Sequence, residues 1–141
     1  MDKTFIKKLY QSHQASPAFP SPAEVSHLFT QLLGVLFPDF STHSYPTVAD
    51  FESYCNGLQS SLQEMVRLAP GLRSLHEKEI ASRFFEALPD VHQKLEHDIF
   101  AMYEGDPAAK STSEVVRTYP GFYAIAAYRL AHELHRLGVG G

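Results

Sequence analysis

An all-α fold of six or seven helices is the architecture this 141-residue sequence predicts. Every strong hydrophobic periodicity recurs at three and four residues, and no convincing segment alternates at two. Serine, threonine and aspartate caps followed by proline or glutamate open the periodic segments, and proline or glycine closes them.

A short first helix is expected near Thr4 to His13. Ser21-Pro22-Ala23-Glu24 joins an N-cap serine, a first-position proline and a glutamate placed to close a capping box, so a helix should run from there towards Phe37 and stop at Pro38. A second long helix should begin at Thr47 with Asp50 in its first turn. It presents Phe51, Cys55, Leu58, Leu62, Met65 and Ala69 on one face before Pro70-Gly71 ends it. From about Ser74 to Ala87, Leu75, Ile80, Phe84 and Leu88 mark a further helix, which Pro89 should interrupt or restart. The next one carries Val91, Leu95, Ile99 and Met102. Gly105 has the position of a left-handed C-cap, and Asp106 before Pro107 has the form of an N-cap. Ser111-Thr112-Ser113-Glu114 reads as another capping box. The last long helix should run from Phe122 to Leu137, stopped by Gly138.

With 44% hydrophobic and 20% charged residues, the chain can bury the core of one soluble domain, and a second full domain is not expected. Residues 1–20 are expected to be a loosely attached N-terminal helix and linker, and Asp39 to Pro46 a second loose stretch. A net charge of -4 with scattered lysines and arginines gives no footprint for nucleic acid or an anionic membrane. The single cysteine, Cys55, allows no disulfide or thiolate metal cluster within the chain. The N-terminus is too polar for a signal peptide, and no apolar run approaches the roughly 20 residues that cross a bilayer. The expected compartment is the cytoplasm.

Chemical motifs are sparse. His132 and His135 stand one helical turn apart, but two ligands do not make a metal site, and imidazoles near a helix C-terminus are favoured there by the macrodipole. Glu24-x-x-His27 has di-iron spacing without the companion pair and glutamates that such a bundle needs. No metal site is expected. Cys55 lies on an apolar helical face, where a thiol acts as filler rather than nucleophile, and there is no Gly-x-Ser-x-Gly elbow. Gly138, Gly140 and Gly141 read as a helix stop and tail, not a phosphate cradle. Asp106, taken alone, is a helix cap.

The order of elements in the last third says more. Asp106-Pro107-Ala108-Ala109 leads through Pro120-Gly121-Phe122-Tyr123-Ala124-Ile125 into Tyr128-Arg129-Leu130-Ala131-His132. This resembles the stretch that precedes the left-handed β-helix of serine O-acetyltransferases, with the match close over 84–139 and weak before it. One departure is Tyr103-Glu104-Gly105, which stands where many members of the family carry basic residues.

The resemblance implies an N-terminal helical domain of an enzyme that makes O-acetyl-L-serine and CoA from L-serine and acetyl-CoA on the way to cysteine. It implies that Asp106 contacts the amino group of serine, or of the feedback inhibitor L-cysteine, and that Arg129 and His132 orient the junction with the β-helix. The catalytic base and the site of the co-substrate acetyl-CoA would lie on that β-helix, beyond Gly141, so no cofactor is expected on these residues and the isolated segment should be inactive. It further implies self-association through the helices, towards a dimer of trimers, and cysteine synthase as a partner through a C-terminal region. The rival expectation is a stand-alone helical interaction or regulatory module.

Overall fold

The structure is a computed structural model that describes residues 1–15, 20–69, 73, 75–106, 108 and 110–140. Among the described residues there are six α-helices, one 3-10 turn and no strand. The helices are α1 (Lys3–Ala15), α2 (Pro22–Leu36), α3 (Val48–Leu68), α4 (Glu77–Gly105), α5 (Thr112–Thr118) and α6 (Pro120–Arg136), with the 3-10 turn at Pro38–Phe40.

The caps explain most of the boundaries. Ser21 Oγ accepts the Glu24 amide at 3.1 Å and Glu24 Oε2 accepts the Ser21 amide at 3.3 Å, closing the predicted box at the start of α2. The helix ends where expected, because Phe37, as the residue before Pro38, is pushed into extended backbone. Thr47 Oγ1 likewise accepts the Asp50 amide at 3.1 Å to open α3. At the far end of α6, Gly138 takes φ +93°, with Gly138 N–H donating to the His135 carbonyl and Val139 N–H to that of Leu134. This Schellman arrangement needs a left-handed residue, which glycine adopts without a Cβ clash.

The loose stretch expected from Asp39 is partly ordered into the 3-10 turn. Gly34 lets that turn lie on α2, since a Cβ there would stand 3.3 Å from both the Phe40 carbonyl oxygen and the Ser41 Cα. Phe37 and Phe40 then pack on Phe122 of α6, with ring centroids at 5.6 and 5.7 Å.

Several expectations are corrected. Pro89 neither interrupts nor restarts a helix: α4 is continuous for 29 residues with Pro89 inside it. Proline removes the hydrogen bond to the Phe85 carbonyl, but Pro89 lies on the exposed face of the helix, while Ile80, Phe84, Leu88, Val91, Leu95 and Ile99 stay buried along the other face. Gly105 is not a left-handed cap. It is the last helical residue, and Asp106, with φ −124°, is the C-cap of α4 rather than the N-cap of a following helix. The second capping box closes only on one side, because Glu114 Oε2 accepts from Lys110 N–H, one residue before the cap. On α3 the buried residues are Leu58, Leu62 and Val66, while Phe51 and Cys55 are half-exposed. The predicted stop at Pro70-Gly71, the start at Ser74, Pro107 and Gly141 lie outside the described residues.

α4 is the centre of the packing. α3, α5 and α6 all lie against it, and α2 joins α3 to α6. Phe84 and Phe122 are the largest side chains with no exposure at all. α1 contributes nothing to this core; all of its residues are exposed. Truncating Phe84 to alanine should therefore cost about 3–5 kcal/mol in urea denaturation, through lost transfer energy and an unfilled cavity. Val48→Ala, at a position 84% exposed, should change stability by less than about 0.5 kcal/mol.

Candidate functional site

The turn between α4 and α5 carries Asp106. Its Oδ1 accepts the Ala108 amide at 2.9 Å, a side-chain bond of Asx spacing. The carboxylate is half-exposed and stands at the C-terminal end of a 29-residue helix. That location is electrostatically unfavourable for an anion, because the carbonyl end of the helix is already negative. A cation placed there would meet both the carboxylate and the end of the helix dipole.

Two charged braces hold this end of the molecule. Asp39 Oδ1 accepts Ser113 Oγ at 2.7 Å and Arg117 Nε at 2.9 Å, tying α5 to the 3-10 turn across more than 70 residues of sequence. The hydroxyl of Ser113, helped by Arg117, holds the Asp39 carboxyl below its ordinary value against the opposing effect of burial. Arg129 grips Asp98 with both sides of its guanidinium, Nε at 2.6 Å and NH2 at 2.9 Å, and so ties α6 to α4. Hydrogen bonding to Asp98 raises the Arg129 pKa above its already high ordinary value.

The predicted site residues therefore occupy separate places. Asp98 lies two helical turns before Asp106, roughly 12 Å along α4, so Arg129 braces the helix that carries Asp106 without reaching it. His132 is exposed and stacks on Tyr128, with centroids 5.9 Å apart, and has no hydrogen bond to Asp106 among the described residues. Glu24 uses its carboxylate in the α2 cap, and among the described residues no three metal-ligating side chains come together. At Cys55 burial pushes the thiol pKa up, which disfavours the reactive thiolate.

Beside the Asp39 brace lies a cavity of about 360 Å3 between α4, α5 and the 3-10 turn, whose wall includes Asp39, Glu96, Phe100 and Ser113. The periodicity gave no sign of this brace. Asp39 follows a helix-ending proline in an aperiodic stretch, and its partners sit on a seven-residue helix too short to show an amphipathic face.

Among the described residues the chain is an all-α body with the carboxylate of Asp106 on the C-cap of its longest helix. The chain belongs to the serine acetyltransferase N-terminal family: a profile described as "Serine acetyltransferase, N-terminal" matches residues 41–127. The matched stretch takes in α3, α4, α5 and about half of α6, and one side of each brace: Ser113 and Arg117 but not Asp39, and Asp98 but not Arg129. Over 82 residues the chain is 43% identical to the plasmid serine acetyltransferase of Synechococcus elongatus, covering 58% of this chain and 26% of that protein. It is 48% identical over 42 residues to the serine acetyltransferase of Bacillus subtilis, covering 30% of this chain and 19% of that one. Its fold matches serine acetyltransferase 1 of Entamoeba histolytica, solved in complex with L-cysteine, with a TM-score of 0.61 and 30% identity over 80% of this chain and 41% of that chain. The chain thus spans about a quarter or less of the length of these curated relatives.

The Asp39 brace has a pH signature. A carboxyl with a lowered pKa contributes stability in full above its unfolded value near 3.9 and loses it as the pH falls through the folded value. Asp39→Asn should cost about 1–2 kcal/mol at pH 7. In urea denaturation series the gap to the unaltered chain should narrow as the pH is lowered below about 4.

Proposed function

We propose that this chain is the amino-acid-side and assembly domain of a serine O-acetyltransferase, in which Asp106 holds the ammonium of L-serine, or of L-cysteine as inhibitor. The observation that supports this reading most is the placement of Asp106. Its carboxylate belongs to the C-cap residue at the negative end of α4, and a charged amine is the group that such a position favours. The relative solved with L-cysteine agrees with an amino acid as ligand.

The chemistry is acetyl transfer from acetyl-CoA to the serine hydroxyl, giving O-acetyl-L-serine and CoA. These residues bind and orient one reactant. The acetyl-CoA site and the general base belong to a partner β-helix. Arg129, through Asp98, fixes α6 against α4 and with His132 orients the junction with that β-helix. Copies of the helical domain associate with one another, cysteine synthase is a further partner of the whole enzyme, and the reaction takes place in the cytoplasm.

A polypeptide of these 141 residues should release no CoA from acetyl-CoA and serine above background. Joined to the transferase part of the Synechococcus elongatus relative, it should support turnover. In that fusion Asp106→Asn should raise the KM for serine roughly tenfold to hundredfold, the loss of one charge-assisted hydrogen bond, with kcat little changed. Inhibition by cysteine should weaken in parallel. An unchanged KM in a correctly folded variant would remove Asp106 from the site.

A further inference from the structure

A cleft of about 210 Å3 lies between α2 and the segment that leads into α3. His27, Gln31 and Gly34 of α2 form one wall, residues 40–43 and Tyr45 the other, and Tyr54 of α3 closes it. Among the described residues no lysine, arginine, aspartate or glutamate lines the cleft. An ion would lose hydration there without meeting a counter-charge, so the lining favours a neutral occupant.

Two features narrow the class further. The rings of His43, Tyr45 and Tyr54 cluster together, with centroids 4.9 Å apart for His43 and Tyr54 and 5.4 Å apart for Tyr45 and Tyr54. None of the three is buried in the single chain, and partly uncovered rings of this kind hold a flat ring by stacking. Gln31 supplies the polar edge. Its side chain is half-buried, and its bond from Nε2 to Tyr54 Oη is stretched to 3.5 Å. Oε1 and the second Nε2 hydrogen have no protein partner among the described residues. By contrast, Ser41 Oγ is spent on the carbonyl and the amide of His43, and Thr30 Oγ1 donates to the Ser26 carbonyl. A carboxamide with a free acceptor beside a free donor pairs with a ring edge that offers a donor beside an acceptor.

We propose that this cleft binds the adenine ring of a neutral base or nucleoside, stacked on the His43, Tyr45 and Tyr54 cluster and read along its amino edge by Gln31. Adenine is flat and uncharged, and it sets an amino donor next to a ring-nitrogen acceptor, the complement of the Gln31 carboxamide. The cleft is smaller than the roughly 300–1,000 Å3 of sites for drug-sized ligands, so it suits the ring alone. A ribose would project into solvent, and a phosphate would meet no lysine or arginine in the wall. The cleft shares no residue with the turn that carries Asp106, so this site stands or falls independently of the amino-acid reading.

Titration of the 141-residue chain with adenine, adenosine, AMP and unsubstituted purine, followed by amide NMR shifts, tests this. Adenine should shift signals from residues 27–34 and 40–54 and saturate with a Kd of about 1 mM or tighter, the scale for a ligand of about ten non-hydrogen atoms. Purine lacks the amino group and should bind roughly tenfold more weakly, a comparison that needs no variant. Gln31→Leu and Tyr45→Ala, each checked for native helicity, should each weaken adenine roughly tenfold. Adenosine binding as well as adenine would point to a nucleoside, and adenosine binding much more weakly to the free base; either result fits the site. Three outcomes would overturn it: no saturable shift in the cleft, purine or the two variants matching adenine on the unaltered chain, or AMP binding far more tightly than adenosine.

Discussion

Everything in this domain hangs on the continuity of one buried stripe. Ile80, Phe84, Leu88, Val91, Leu95 and Ile99 keep helical register through α4, and each is buried. The burial of six large side chains, at about 1.5–3 kcal/mol each, outweighs the roughly 3 kcal/mol that an interior proline costs. The helix therefore passes through Pro89 instead of breaking there. α3, α5 and α6 then have a common wall to pack on, and the end of that wall is where Asp106 stands.

This construction leaves one carboxylate in an electrostatically unfavourable position. A carboxylate at the C-terminal end of a long helix gains nothing from the helix dipole. The surrounding braces fix the arrangement: Arg129 holds α6 to α4 through Asp98, and Asp39 gathers Ser113 and Arg117 to seat α5. The helices on either side of the Asp106 turn are thus each tied to the rest of the body.

Much of this was legible in the sequence, and the failures have physical causes. The helices were visible because their apolar residues recur at helical spacing, and the caps at Ser21, Thr47 and Gly138 were visible because each relies on a local side chain or a left-handed glycine. Local rules misled at Pro89, where tertiary burial overrode the proline penalty, and at Gly105, where the helix ended in extended backbone on the next residue. They also misled at Asp106, whose Asp-Pro pattern suggested the start of a helix when the residue closes one. A binding role for that residue is suggested only by the resemblance of the surrounding order of motifs. The Asp39 brace was not legible at all, because it depends on a contact between residues far apart in sequence, one of them in an aperiodic turn.

The central claim is that α4 is one rod carrying Asp106 at its end, and an interspin distance across Pro89 tests it most directly. Labels at Lys78 and Glu104, both exposed and on opposite sides of the proline, should give a single narrow distribution. It should centre near the roughly 39 Å that an unbroken helix of that span requires, allowing for the label arms. A broad distribution at distinctly shorter distances would mean two helices jointed at Pro89, and the turn bearing Asp106 would then have no fixed place relative to the core.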